Sequence, residues 1–302
     1  MNLAKRELLF AAAGLGLAGA SAAAQPAQQA PAQPPPARRE VPRRRARTTT
    51  LFKAPGAYPN ALAVNTDAPG GLWIGQQKIS EIQAEVFGRK PPADRDEAAW
   101  LVDWNGKLIK TVNTPSRNTS GMAYGGGYLW MGANDAPWGI FQIDPKDGRV
   151  VAHRQIPLGV GDNGGGCHGV QWHQGKLWIA STRLNAMMRV DPVTWTPEAL
   201  LPVTSAARPR LHDLTFDNEG AMWVVTGTNA TSYATSSAGL NKYDGRTGQL
   251  LMTVDFEPNS ADPHGLVWYN GQLISCDAGV HPNGWKDMES PHSLEVFRID
   301  IV

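Results

Sequence analysis

Three of the seven histidines of this 302-residue chain open short segments of one pattern. They are His168-Gly169-Val170-Gln171-Trp172, His212-Asp213-Leu214-Thr215-Phe216 and His264-Gly265-Leu266-Val267-Trp268. Two further segments fit the pattern with other leading residues, Asn60-Ala61-Leu62-Ala63-Val64 and Ser120-Gly121-Met122-Ala123-Tyr124. Imidazole titrates near neutral pH and also ligates divalent metals. Three imidazoles converging from separate segments make a general acid–base cluster, or a divalent-metal site for Zn or Mg with an open position. On this reading His264 and His212 are catalytic candidates, and His168, His212 and His264 are the candidate metal ligands. No HExxH or CxxC spacing adds to the metal reading, which rests on the register of the repeats.

Other chemistry-bearing residues align with this set. Each segment is followed by a second apolar run, and the runs end at Gln76-Gln77, Asn134-Asp135, Thr182-Arg183, Thr226-Gly227 and Asp277-Ala278. Asp277 suits orientation of a histidine or ligation of a metal, and Arg183 suits bidentate capture of a carboxylate. Asp262 stands two positions before His264, and Tyr58 two before Asn60. Asp262 and Asp277 are therefore candidate proton acceptors, while Asn60, Tyr58, Ser120 and Arg183 are candidate substrate contacts. Cys167 adjoins His168 and Cys276 adjoins Asp277. Buried thiols are expected there, because a disulfide requires the Cα atoms to come within about 7 Å. The glycine-rich run 161–166 lacks a following helix and a Lys-Ser/Thr step, so it is not a phosphate loop.

Positioning these residues requires a repeated element. The leading residues are spaced 60, 48, 44 and 52 apart. In four copies the second run carries Trp73, Trp130, Trp178 or Trp223; the fifth has Leu273-Ile274-Ser275. A third strand ends at Asp103, Asp144, Asp191, Asp244 or Asp300, where Asp-Pro, Asp-Gly and like steps make turns. Fourth strands follow at 107–112, 150–156, 199–203 and 250–256, but the last copy ends at Val302 without one. Residues 48–53 supply it. The expectation is an all-β fold, a β-propeller of five four-stranded blades whose N-terminal strand completes the last blade. A solenoid gives no reason for that completion. The leading residues then ring one mouth of a central channel, and the insertion 78–99 adds a helical turn or a lid.

The segment before the repeats reads as an address. Lys5-Arg6, an apolar run over residues 8–20 and Ala22-Ala23-Ala24 make a signal peptide cut near residue 24, by a Sec or a twin-arginine route. The expected location is periplasmic or secreted, with no integral membrane segment after signal removal. Residues 25–47, rich in Pro, Ala, Gln and Arg, are expected to be a disordered linker before a domain over 48–302. Residues 1–47 hold eight basic and two acidic residues of the chain's 28 and 27, leaving 20 and 25, a net charge near −5, for the rest. That sign excludes a nucleic-acid partner. A monomer acting on a small-molecule substrate is expected.

Asp262-Pro263-His264-Gly265-Leu266, followed by the strand through Leu273 to Asp277, resembles the virginiamycin B lyase-like propellers, and more loosely the gluconolactonase-type ones. The resemblance covers residues 55–302 at the level of the repeats. It implies elimination that opens a cyclic lactone, with channel histidines, a nearby carboxylate and Mg²⁺. His264 and His212 match the histidines of that family's last two blades, Asp262 matches its acid two positions before the final one, and Asp277 lies within one position of another. Two function classes follow. One is an exported metal-assisted lyase or lactone/ester hydrolase, and the other a non-catalytic propeller module binding a protein or cell-envelope ligand.

Overall fold

The computed structural model describes residues 40–56, 58–78, 96–159, 167–182, 184–203, 211–228, 237–279 and 291–302. The expected signal peptide, residues 25–39 of the expected linker and Arg183 lie outside the described residues. Apolar runs punctuated by Asp, Asn and Gly turns form strands throughout. The first four-stranded antiparallel sheet is β2 (Pro59–Val64), β3 (Leu72–Gln76), β4 (Glu97–Val102) and β5 (Leu108–Thr114). The second holds β6 (Thr119–Gly125), β7 (Tyr128–Ala133), β8 (Gly139–Ile143) and β9 (Val150–Arg154). The third holds β10 (Cys167–His173), β11 (Lys176–Ser181), β12 (Ala186–Val190) and β13 (Pro197–Pro202).

The remaining strands are β14 (Leu214–Phe216), β15 (Ala221–Thr228), β16 (Ser237–Asp244), β17 (Leu250–Phe256), β18 (Leu266–Tyr269), β19 (Gln272–Cys276) and β20 (Glu295–Ile301). With β1 (Arg43–Lys53) they form one eight-stranded sheet, ordered β14-β15-β16-β17-β1-β20-β19-β18. The N-terminal strand thus pairs antiparallel with β20, from Ala46 opposite Ile301 to Lys53 opposite Glu295. It begins at Arg43 rather than at residue 48, so the end of the expected linker is strand. The reason is a short parallel pairing of residues 43–46 with 253–256 in β17, together with an ion pair of Arg43 with Asp255. The expected insertion also shrinks, because Glu97–Val102 is strand; residues 79–95 lie outside the described residues.

The aspartates expected at turns act as such. The Asp103 carboxylate accepts the N–H groups of Asn105 and Lys107, and that of Asp191 accepts those of Val193 and Thr194. The sheets pack face to face through apolar clusters that each draw on two successive meanders. Trp73 packs with Met122, Trp130 with Val170, Trp178 with Leu214 and Trp223 with Leu266, while Leu62 meets Val267. The leading strands touch in cyclic order, β2 to β6, β10, β14, β18 and back to β2. This is propeller-type architecture, in which each sheet buries both faces against its neighbours and its first strand lines the axis.

Candidate functional site

The leading residues come together because the leading strands approach backbone to backbone. Glycine follows Ser120, His168 and His264, and a Cβ has no room at any of the three. At Gly121 it would lie 2.1 Å from the His168 carbonyl oxygen, and at Gly265 2.6 Å from the Leu62 nitrogen. At Gly169 it would lie 2.5 Å from the Asp213 carboxylate. This close approach brings the imidazoles of three successive meanders into contact. The ring centroids of His168 and His212 are 4.8 Å apart, and those of His212 and His264 4.7 Å. His168 stands on β10, while His212 and His264 just precede β14 and β18. Their N–H groups are nevertheless held by the neighbouring strands, at Val225 and Cys276.

The same rim carries Asn60 and Ser120, both buried. The Asn60 amide donates to the Thr119 carbonyl at 3.0 Å, crossing from β2 to β6, and Ser120 Oγ donates to the Asn118 carbonyl at 3.1 Å. Tyr58 contributes its backbone, its carbonyl accepting Gln77 N–H at 2.8 Å. At this rim Asn134, after β7, reaches His168 Nε2 at 3.3 Å.

His264 Nδ1 stands 3.1 Å from the Asp262 carbonyl, and because a carbonyl oxygen only accepts, that nitrogen carries a proton. The Asp262 carboxylate stands 4.0 Å from His264 Nδ1. Asp277 acts one step behind: its carboxylate accepts the N–H groups of Asp262 at 2.9 Å and Gly279 at 2.7 Å, fixing the segment that orients His264. Asp262 is 4% exposed and Asp277 1%, so both belong to the wall rather than the surface.

Two buried acids escaped the sequence reading. Glu97, at the start of β4, accepts N–H groups of Lys78 (2.8 Å), Asn118 (2.7 Å) and Thr119 (2.8 Å). Burial pushes its carboxyl up to about 7, against those hydrogen bonds. Asp213 accepts the N–H groups of Leu214 at 2.9 Å and Leu266 at 2.8 Å, and burial holds its carboxyl well above the ordinary range. A signal for Asp213 was present: it is an acid at a repeat position filled elsewhere by Gly or Ala. Both cysteines are free and buried, and burial pushes both thiols up. Among the described residues, no three His, Cys, Asp or Glu side chains form a ready set for a metal ion.

A separate groove of about 880 Å³ lies where β1 meets β17, lined by Arg43, Arg44, Arg45, Asp255, Phe256 and the C-terminal Val302. No helix among the described residues is long and apolar enough to cross a membrane.

No protein-family model matches the chain, and no curated protein matches it in sequence. Among solved structures, the chain is similar to the glutaminyl cyclase of Myxococcus xanthus, with a TM-score of 0.53 at 12% identity over 87% of this chain and 98% of that one. It also aligns with Kuenenia stuttgartiensis hydrazine synthase (TM-score 0.46, 11% identity, 84% of this chain and 65% of that one). A third alignment is with the WD40 repeats of RRP9 (TM-score 0.49, 12% identity, 80% and 79%). The first shows a common fold and nothing finer; the other two are too distant to carry an argument.

Proposed function

We propose that the protein is an exported propeller of five four-stranded blades, closed by β1 in the last blade, and that its axial histidines catalyse a lyase or lactone/ester hydrolase reaction on a small molecule. The cyclic contact of five leading strands supports the blade count, and the β1–β20 pairing supports the closure. Residues 1–24 support export by a Sec or twin-arginine route. The Asp262-Pro263-His264-Gly265-Leu266 segment supports a place among virginiamycin B lyase-like propellers.

The observation that carries the reaction is the run of three imidazoles at 4.8 and 4.7 Å. His264 serves as the base, with His212 and His168 beside it in the run. In elimination, His264 takes the proton next to a carbonyl, the C–H pair becomes the new C=C bond, and the C–O bond breaks with its pair leaving on the carboxylate oxygen. In hydrolysis, His264 takes a proton from water as its oxygen attacks the acyl carbon, and the imidazolium so formed returns that proton to the leaving alcohol. Asn60, Ser120 and the Tyr58 backbone form the substrate side of the rim, and Arg183 is assigned to a substrate carboxylate by its place in the sequence repeat alone.

Three imidazoles with Asp262 behind one of them suit Zn by donor chemistry, and not Mg, which takes oxygen ligands; a zinc ion held by His168, His212 and His264 would polarise the carbonyl. The described side chains do not form a ready set of three, so no step above is routed through it.

The test is turnover of a panel of lactones and esters, with metal content measured on untagged protein. An N-terminal glutaminyl peptide joins the panel because of the shared fold. His264→Ala is expected to lower turnover by about 10²-fold or more, the usual worth of a positioned acid–base group. Wild-type turnover in that variant overturns the proposal. A second reading, a non-catalytic module, draws on the arginine-lined groove; it gains if the wild type turns over nothing and binds an anionic envelope polymer that Arg44→Ala releases.

A further inference from the structure

The three histidines open different meanders, and their mutual geometry depends on the register of leading strands that share no ladder. One side chain ties those strands together. The Asp213 carboxylate accepts the N–H groups of Leu214 (2.9 Å), Leu266 (2.8 Å) and Val170. These donors stand two positions after His212, His264 and His168 respectively. The carboxylate therefore collects the same N–H group from each of the three histidine-bearing strands.

The setting agrees with a hub. Asp213 is 1% exposed, its neighbour Gly169 has no Cβ to fill the space its carboxylate takes, and both Cys167 and Cys276 feel its charge. Around the axis the residue after each leading position is Ala61, Gly121, Gly169, Asp213 and Gly265. Small residues suffice wherever the strands pack directly. Only the place between the histidine strands carries an acid, where burying a carboxyl without a cation costs free energy. Such a costly group persists where its hydrogen bonds fix something that packing alone leaves loose.

We infer that Asp213 is the positioning residue that holds His168, His212 and His264 in one catalytic register through the Val170, Leu214 and Leu266 amides. The inference rests on the reading of the histidines as the reacting centre, yet its test does not use turnover. Full-length Asp213→Asn and Asp213→Gly proteins are compared with the wild type by imidazole NMR and by amide hydrogen exchange, at one pH. Asp213→Gly restores the residue common at this repeat position, and Asp213→Asn keeps the shape if the glycine variant does not fold.

In Asp213→Gly the imidazole resonances of all three axial histidines are expected to shift, with those of His153 and His292 unmoved. Exchange of the three amides should quicken about tenfold or more in that variant, as loss of the hydrogen bonds requires, and in Asp213→Asn, which keeps one accepting oxygen, exchange of at least one of them should quicken. A shift confined to His212, the chain neighbour, overturns the inference, as does a drop in stability with all three resonances in place. A wild type that turns over nothing, with all three resonances moved in Asp213→Gly, sinks the enzyme reading and leaves the positioning role standing.

Discussion

Buried carboxyls set the behaviour of this protein at the scale of single residues. Glu97 accepts two backbone N–H groups at the start of β6, from Asn118 and Thr119, and one beyond β3, from Lys78; its desolvation outweighs them, lifting its carboxyl from 4.5 to about 7. The unfolded chain releases this proton near 4.5, whereas the folded chain keeps it until about 7. Between those values the folded state binds more protons, so stability falls as pH rises. The contribution is complete below the lower value and gone above the upper one. Denaturant unfolding should therefore show roughly 3 kcal/mol less stability at pH 8 than at pH 4.5 from this group. Glu97→Gln should flatten that dependence, leaving the part due to Asp213, which is displaced in the same direction. An unchanged slope in Glu97→Gln would show that Glu97 titrates normally. Neither acid stood out in the sequence as a desolvated group, because the strands whose approach buries each are distant in the chain.

Among the elements, β1 carries the most consequence for its size. It lies between β17 and β20, and Ala46 is fully buried among Trp223, Val225, Leu240 and Phe297. The strand covers what would otherwise be an open edge of β20, an invitation to pairing between molecules. Ala46→Asp places an uncompensated charge in that cluster and should cost roughly 3 kcal/mol or more, read as a lowered unfolding midpoint. A midpoint equal to the wild type would mean that the strand is dispensable to the fold. The existence of this strand was legible, since the last repeat lacked its fourth member. Its start was not, because Arg43, Arg44 and Arg45 read as linker by composition and become strand only through pairing with residues 253–256.

For the molecule as a whole, stability resides between the sheets. Trp73, Trp130, Trp178 and Trp223 occupy equivalent second-strand places and are all nearly inaccessible. Trp130→Ala should cost about 3–5 kcal/mol, the usual range for removing a large buried aromatic. Because its cluster joins the second meander to the third, calorimetry should still show one transition, at lower temperature. Two separated transitions would show that the meanders unfold independently.

The sequence by itself determined the repeat, the tryptophan and aspartate positions within it, and the leading places at which three imidazoles would meet. These are matters of periodicity, and alternation along a strand fixes which face each side chain takes. Tertiary structure alone decided that Asp277 acts on His264 through the Asp262 backbone, that Asn134 meets His168, and that Asp213 gathers three strands. Each of these depends on which backbone group of a distant strand faces the side chain and on how far water is excluded there. Spacing along the chain does not encode either quantity.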